Sequence, residues 1–379
     1  MPALDDTLQK KLQLLEAKRL KRSLKETARA SGVKVRRAGK DLISFSCNDY
    51  LGLSRHPGVI AAARDALEKY GAGAGASRLV TGNYPLYDEL ETALAKYKGT
   101  EAACIFGSGY LANIGAIPAL VGTGDLMLAD KFIHACMVDG ARLSSATMMR
   151  FAHNNLEHCR MLLEANRAEH HHCLILTETV FSMDGDLAPL TALKKLAKEF
   201  DAWLMTDDAH GLGVLPKHKS DADIQMGTLS KAAGSYGGYI CGSKTLIDYL
   251  KTSARSLIYS TALPPASIAA SIAALKIIAH EPKLVEKPLE NAKLFTSLMD
   301  IKEAESAIVP IILKDNDKAL VASALLEEKG FLVAAIRPPT VPEHTARLRF
   351  AFSALHEKTQ IEAVAGIIKA QGWLCEPSA

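Results

Sequence analysis

From about residue 40 onward, short apolar runs alternate with amphipathic stretches that are long enough to form helices. Parallel strands must be joined by such crossovers, so the alternation predicts an α/β fold with a largely parallel sheet. The runs are nearly continuous in apolar residues, as expected of strands that are covered on both faces. They lie at 102–106, 126–128, 173–177, 203–206 and 239–242.

A domain boundary is predicted near residue 280. A helical stretch at 266–279 precedes a polar segment at 280–287, and a separate alternation of strands and helices follows. Its predicted strands are 307–313, 332–336 and 347–352, and its predicted helices are 319–329 and 358–371. We therefore expect an N-terminal helical segment (1–42), a large domain (43–280) and a smaller C-terminal α/β domain (281–379).

The charge balance argues for a small-molecule substrate. The 379 residues include 45 Lys and Arg against 42 Asp and Glu, so nothing calls for a nucleic acid or an anionic membrane as partner. There is no apolar run of about 18 residues and no apolar core of a secretory signal at the start. The seven cysteines are widely spaced and without a CxxC pair. The sequence therefore predicts a cytoplasmic protein with buried thiols and no metal site.

Residues 8–37 are strongly basic, with eleven Lys or Arg. Leucines at 8, 12, 15, 20 and 24 recur at approximately helical spacing. This pattern predicts an exposed basic helix that packs through its leucines. The alternative is that one of its cations faces a substrate.

Three conspicuous motifs are better explained as ordinary structure. The Gly-Ala segment at 71–77 matches no phosphate-loop spacing and predicts a turn. Ser108 lacks the first glycine of a GxSxG nucleophile motif, so hydrolase chemistry is not supported. The three histidines at 170–172 have no partner ligand at metal-like spacing and predict a solvated loop before a strand.

Three features together indicate a cofactor. Ser108, Gly109 and Tyr110 follow a predicted strand and open a helical stretch at 111–120, whose first backbone N–H groups can bind a phosphate dianion. Asp207, with Asp208 and His210 close behind, ends another strand, where side chains face the ligand crevice of an open sheet.

Lys231 is the third feature, because it stands among small uncharged residues. Burial lowers the pKa of a lysine and frees its amine for a Schiff base. An acid for a pyridinium nitrogen, a Schiff-base lysine and a phosphate cradle are together what pyridoxal 5′-phosphate (PLP) requires.

Four segments resemble, in the same order, the motifs of the α-oxoamine synthases, a family of fold-type I PLP-dependent enzymes. They are FSCNDYLGL (45–53), TVFSMDG (179–185), DDAHG (207–211) and TLSK (228–231). The resemblance extends from about residue 15 to 370. It implies a fold-type I PLP-dependent transferase with a large, mostly parallel-sheet domain and a smaller C-terminal α/β domain.

Three further segments are similar to one branch of that family: FAHN (151–154), IYST (258–261) and AIRPPTVP (335–342). That branch condenses L-alanine with a pimeloyl thioester, on CoA or a carrier protein, in biotin synthesis. Relatives that use glycine or serine, with a different acyl-CoA, remain alternatives. A further alternative is a catalytically silent member that acts as a binding subunit.

The resemblance implies roles around the cofactor ring. Lys231 would hold the cofactor and later act as the base that removes the Cα proton. Asp207 would keep the pyridine nitrogen protonated, and His134 would stack on the ring and contact the substrate. Ser182 and His210 would approach the 3′-oxygen.

It also implies how the phosphate and the substrates are held. Ser108, Gly109, Tyr110 and Thr228 would bind the phosphate, completed by Ser260 or Thr261 of the neighbouring subunit in a homodimer. The substrate residues are implied to be Arg349 for the amino-acid carboxylate, Asn48 and Thr340 in the cleft, and Lys25 with Arg22 for the acyl chain. Biotin-pathway relatives tend to carry an arginine where Lys25 aligns. Arg347 would lie on the same strand face as Arg349, so these two roles could be exchanged.

Overall fold

A computed structural model describes residues 3–18, 20–215 and 220–373. The helices are α1 (Leu4–Ala17), α2 (Pro57–Tyr70), α3 (Pro85–Lys98), α4 (Gly109–Leu120), α5 (Ala135–Ser144), α6 (Leu156–Asn166), α7 (Leu190–Glu199), α8 (Lys244–Ser253), α9 (Arg255–Ile258), α10 (Pro265–His280), α11 (Pro282–Met299), α12 (Asn316–Glu328) and α13 (Lys358–Ala370).

The strands are β1 (Ala28–Arg29), β2 (Lys34–Arg37), β3 (Lys40–Ser44), β4 (Ala102–Phe106), β5 (Leu126–Asp130), β6 (Thr147–Phe151), β7 (Cys173–Glu178), β8 (Trp203–Asp207), β9 (Ile224–Thr228), β10 (Gly238–Gly242), β11 (Ile308–Lys314), β12 (Phe331–Leu332), β13 (Ala334–Ile336) and β14 (Ala346–Ala351).

The largest sheet has seven strands in the order β4-β10-β9-β8-β7-β5-β6. Strands β5 to β9 pair in parallel, and β10 runs antiparallel to both of its neighbours. Every residue of β5 and β7 is buried, as expected where helices cover both faces. The predicted α/β fold with a largely parallel sheet is confirmed.

Two smaller sheets contain the C-terminal strands. One is antiparallel, with the order β11-β14-β13, and it packs with α11 to α13 around Phe295, Phe350 and Phe352. The other has the order β1-β2-β3-β12, in which β12 pairs in parallel with β3. The stretch 332–336, predicted as one strand, is therefore two short strands in different sheets. Between α10 and α11 lies only Glu281, and the predicted domain limits stay a prediction.

The predicted basic helix is wrong beyond Ala17. Helix α1 ends there and buries none of its residues, so its leucine stripe stays exposed. Leu24 lies outside any helix and is fully exposed. Gly32 has a φ of +60° in a turn and Val35 is buried in β2, since glycine and β-branched residues favour turns and strands over helices. Arg22 and Lys25 thus share no helix face.

The other motifs are placed largely as predicted. The histidines at 170–172 form the loop before β7. The six described cysteines are free thiols, five of them buried, and Cys375 lies outside the described residues. Within the described ranges, no helix is long and apolar enough to span a membrane.

Candidate active site

A cavity of about 250 Å³ opens where β7, β8 and β9 end. Eight of the predicted site residues line it: Ser108, Gly109, Tyr110, His134, Asp207, His210, Thr228 and Lys231. Cys136, Glu178, Ala209, Met226 and Ser230 complete the lining. A larger cavity of about 380 Å³ runs beside β11 but contains none of these residues. The chemistry therefore points to the smaller cavity.

The two adjacent carboxylates at the end of β8 have different surroundings. Asp207 faces the cavity, where its Oδ2 accepts a hydrogen bond from Asn113 Nδ2 at 2.9 Å and its Oδ1 accepts one from the Ala209 amide at 2.9 Å. Asp208 instead forms an ion pair with Lys98, with 2.7 Å between Oδ2 and Nζ. Because Asp208 is paired with Lys98, Asp207 is the carboxylate of the two that is available to the cavity.

Lys231 ends a chain of three polar side chains. Its Nζ lies 2.7 Å from Nε2 of His210, and Nδ1 of that ring lies 2.7 Å from the Tyr50 hydroxyl. Burial lowers the pKa of Lys231, against the opposing effect of Asp207 and Glu178. Burial, and then the Lys231 charge, hold the pKa of His210 well below its usual value. His210 is therefore neutral and donates from one ring nitrogen while accepting at the other.

Arg347 and Arg349 lie on the same face of β14, but their partners differ. Arg347 forms an ion pair with Asp184 and also donates to the Met183 carbonyl. Arg349 donates from Nε to the Ser182 carbonyl at 2.6 Å and from Nη1 to Oδ1 of Asn48 at 3.2 Å.

Among the described residues, no carboxylate lies within ion-pair distance of Arg349, although the residue is 95% buried. Its Nη2 lies 3.5 Å from the hydroxyl of Tyr50, which places it beside the chain that ends at Lys231. A buried guanidinium that lacks a counter-ion carries a desolvation cost, which an anionic ligand would offset.

The start of α4 lies beside the cavity. Ser108 caps this helix by accepting from the Leu111 amide at 3.1 Å, and the amides of Gly109 and Tyr110 precede the first helical hydrogen bond. Gly238 of β10 passes so close that a Cβ atom there would lie 2.5 Å from the Gly109 nitrogen. The approach of β10 to this turn therefore requires glycine.

Glu178 and Asn113 belong to the site, although the sequence reasoning did not select them. Glu178 lies opposite Asp207 in the β7–β8 register, and its Oε2 accepts from the Ser182 amide at 3.2 Å. Burial and the charge of Asp207 raise the pKa of Glu178 well above its usual value. Its place at the end of a buried strand could have indicated it, because Asp207 was selected on that ground. Asn113 lies inside α4 and has no comparable signal.

Several predicted residues lie outside the cavity. Ser182 is buried next to it and contacts Arg349 through its carbonyl. Ser260 is half-buried, and Thr261 is exposed and forms an isolated β-bridge with Ser77. Arg22 donates to the Thr340 hydroxyl at 3.3 Å on the surface. The side chain of Lys25 is exposed.

The cavity fits PLP on its own chemistry. It offers a carboxylate fixed by two donors, a lysine with a lowered pKa, free amides at a helix start and a neutral histidine ring. Orphaned buried polar atoms also point to a ligand, since Oε1 of Glu178 has no protein partner among the described residues.

Comparisons with known proteins agree. A family model described as Aminotransferase class I and II matches residues 40–368. The 8-amino-7-oxononanoate synthase of Methylobacterium nodulans is 54% identical over 371 residues, which is 98% of each chain. The chain belongs to the 8-amino-7-oxononanoate synthase family. As a member of this family it is a PLP-dependent acyltransferase with the aminotransferase fold, as the sequence predicted.

Solved structures extend the agreement to this family's fold and cofactor. A serine palmitoyltransferase variant from S. paucimobilis with a bound PLP–myriocin aldimine matches with a TM-score of 0.90 and 29% identity, covering 97% of both chains. The 8-amino-7-oxononanoate synthase of Francisella tularensis matches with a TM-score of 0.74 and 29% identity, covering 87% of this chain and 99% of that one.

Proposed function

We propose that this enzyme condenses L-alanine with a pimeloyl thioester, carried by CoA or a carrier protein. It would release carbon dioxide and the free thiol and form 8-amino-7-oxononanoate for biotin synthesis. One observation carries the proposal within the family. The buried guanidinium of Arg349 has no carboxylate partner among the described residues and is linked to Lys231 through Tyr50 and His210. This arrangement suits an amino acid whose carboxylate meets Arg349 while its amine lies near Lys231.

Lys231 and Asp207 would carry out the proton chemistry of the reaction. When bound, the cofactor supplies an electron sink for the charge that develops at the amino-acid Cα. Lys231 would hold the cofactor and then accept the Cα proton at Nζ, a role that its lowered pKa supports. Asp207 would hold a proton on the pyridine nitrogen, and the Asn113 amide keeps its carboxylate oriented.

Histidines would shape the rest of the ring site. His134 caps α5, and its Nδ1 accepts from the Cys136 amide at 3.2 Å, which fixes the ring plane. Burial lowers the pKa of His134, so a neutral ring is available to stack on the cofactor and to contact the substrate. His210, with Ser182 nearby, would approach the 3′-oxygen.

The phosphate site supports a homodimer. Ser108, Gly109, Tyr110 and Thr228 would bind the phosphate within one subunit. We propose that Ser260 or Thr261 of the neighbouring subunit completes it, since neither lines the cavity of its own chain. The six described thiols are free, which suits a cytoplasmic location.

Mixed dimers would test this sharing of residues. A Lys231→Ala subunit paired with a Ser260→Ala/Thr261→Val subunit has one complete site only if the hydroxyls act across the interface. Mixing the two inactive variants should then restore about a quarter of the wild-type activity, from statistical pairing of subunits. No recovery would show that the hydroxyls serve their own chain, and a Ser260→Ala/Thr261→Val variant that is active alone would show that they serve neither site.

The acyl chain would lie toward Thr340. Pimelate carries a distal carboxylate, which needs a cation in an apolar channel. Arg22 already contacts the Thr340 hydroxyl. We therefore propose that Arg22, with Lys25 close in the sequence, binds the distal carboxylate. Asn48, which contacts Arg349, would line the cleft between the amino acid and the acyl chain.

The alternative is a serine or glycine donor with a longer acyl-CoA. It is favoured by the TM-score of 0.90 to a serine palmitoyltransferase against 0.74 to the Francisella enzyme. A catalytically silent binding subunit is the weaker alternative, because Lys231, Asp207 and His134 meet in one cavity.

A panel assay separates these functions. L-Alanine, glycine and L-serine would each be tested with pimeloyl-CoA and palmitoyl-CoA, with mass detection of the amino ketone. We expect L-alanine with pimeloyl-CoA to give the highest kcat/KM. Preference for serine with palmitoyl-CoA would overturn the proposal, and no turnover with any pair would favour the binding subunit.

A further inference from the structure

His153 lies outside the cavity, between two carboxylates. Its Nδ1 is 2.9 Å from Oδ1 of the fully buried Asp130, and its Nε2 is 2.8 Å from Oδ2 of Asp186. The ring is enclosed by Phe132 at 4.5 Å and by Phe181, edge to face, at 4.4 Å. Donation from both ring nitrogens requires the imidazolium form. The two carboxylates raise the pKa of His153 to about 10 despite burial, so the ring is charged at neutral pH.

The next residue strengthens this junction. The backbone amide of Asn154 donates to Oδ2 of Asp130 at 2.8 Å. The side-chain Nδ2 of Asn154 donates to Oδ2 of Asp186 at 2.9 Å. Asp130 ends β5, and His153 and Asn154 lie two and three residues after the end of β6. The ends of two sheet strands are thus tied to the segment 181–187, which carries Asp186.

The segment 181–187 is a closed turn. The Gly185 amide donates to the Phe181 carbonyl at 2.8 Å, and the Phe181 amide donates to the Asp186 carbonyl at 3.1 Å. Gly185 has a φ of +78°, and a Cβ atom there would lie 2.1 Å from the carbonyl oxygen of Ile308. A turn closed and packed in this way moves as one unit, so fixing Asp186 also fixes Ser182.

The other side of this turn holds the arginines of β14. Arg349 donates to the Ser182 carbonyl at 2.6 Å, and Arg347 contacts Met183 and Asp184. The turn therefore lies between His153 on one side and the two guanidinium groups on the other.

We propose that His153 is a positioning residue for the amino-acid carboxylate, acting on Arg349 through the segment 181–187. The inference rests on the proposed function in one respect, that Arg349 receives this carboxylate. His153 itself does not line the cavity. Its removal would take away the imidazolium that joins Asp130 to Asp186, and the turn would shift away from its present place.

The test measures binding of the amino acid to the PLP-loaded protein in the absence of thioester, with visible absorbance as the signal. His153→Gln should weaken L-alanine about tenfold, while ethylamine, which lacks the carboxylate, changes less than about twofold. In steady state, KM for the amino acid should rise more than kcat falls. His158→Gln is the matched control, because His158 lies nearby and its Nδ1 only accepts from the Ala152 amide. It should leave both ligands unchanged.

Equal weakening of L-alanine and ethylamine, or no weakening at all, would overturn the proposal. If His153→Gln does not fold, Asp186→Asn provides the test, because it keeps the shape of the side chain and removes one charge. It should weaken the binding of L-alanine about threefold and leave that of ethylamine unchanged. Should the enzyme prefer serine or glycine, the same comparison applies with that amino acid, since the carboxylate is common to all. Arg349→Lys tests the proposed function separately: unchanged alanine binding there would remove Arg349 as the receptor without bearing on how His153 holds the turn.

Discussion

Nζ of Lys98 lies 2.7 Å from Oδ2 of Asp208, and both side chains are at least 95% buried. Lys98 ends α3 and Asp208 directly follows β8, so the pair joins a helix to the end of this strand. Because Asp208 is committed to this lysine, the neighbouring Asp207 is left as the carboxylate that faces the cavity. The two residues should therefore fail in different ways when they are changed.

Asp207→Asn should reduce kcat on the order of a hundredfold, with little effect on unfolding, since an amide cannot hold the pyridinium proton. Asp208→Asn should instead cost about 3 kcal/mol of unfolding free energy, because it leaves the Lys98 ammonium buried without a counter-charge. Urea unfolding and steady-state kinetics of both variants would check this. If Asp208→Asn were stable but inactive, the two assignments would have to be exchanged.

Lys231→Ala should abolish turnover and change the free energy of unfolding by less than about 1 kcal/mol, because the role proposed for this side chain is chemical. The wild-type protein should absorb visible light, and borohydride reduction with peptide mapping should place the pyridoxyl group on Lys231. Labelling of another lysine would contradict the mechanism.

Stability should fall in mild acid because of His356. This ring stacks on Phe45 at 4.1 Å, and burial lowers its pKa from 6.5 to about 4. Between pH 6.5 and 4 the unfolded chain therefore binds a proton at His356 that the folded chain does not bind. The stabilisation by the neutral ring is complete above pH 6.5 and is lost as the pH falls toward 4. The loss amounts to about 3 kcal/mol. Unfolding of the wild type and of His356→Gln at several pH values isolates this contribution, and identical slopes would refute it.

Arg22→Ala, alone or with Lys25→Ala, should raise KM for pimeloyl-CoA about tenfold, near 1.4 kcal/mol. Heptanoyl-CoA lacks the distal carboxylate and should be almost unaffected. Lys34→Ala is a suitable control, because Lys34 is an exposed cation on β2 of the same basic region. Equal losses with the two thioesters would mean that the region supports the fold and does not select the substrate.

The sequence was most informative about the centre of the fold. Strand β4 lies where the apolar run predicts it, and β5, β7, β8 and β10 differ by at most two residues at an end. Strand β6 was not predicted because it is an edge strand with exposed Thr147 and Arg150. Strand β9 was missed because it contains Gln225, whose amide is satisfied by the Ser220 carbonyl at 2.8 Å.

Within the candidate site, the spacing in the sequence indicated which residues come together. It did not indicate which of two neighbouring residues is available to a ligand. Arg347 and Arg349 share a strand face, and distant partners distinguish them: Asp184 pairs with Arg347, whereas Asn48 contacts Arg349. Asp207 and Asp208 are likewise distinguished by Lys98, more than a hundred residues earlier. Such partners come from tertiary packing, which local pattern does not contain. The same limit explains the N-terminal region, where the leucine spacing is helical but the leucines of α1 remain exposed.

The pairing of β3 with β12 joins segments about 290 residues apart. A ribosome must therefore have made almost the whole chain before this sheet can close, whereas the seven-stranded sheet is complete by Gly242. We expect the cofactor cavity to assemble first and Arg349 of β14 to reach its place beside it last. Pulse-labelled hydrogen exchange during refolding should then protect β7 and β8 before β3 and β14. In such an order, a nascent chain could acquire PLP before it is able to hold an amino acid.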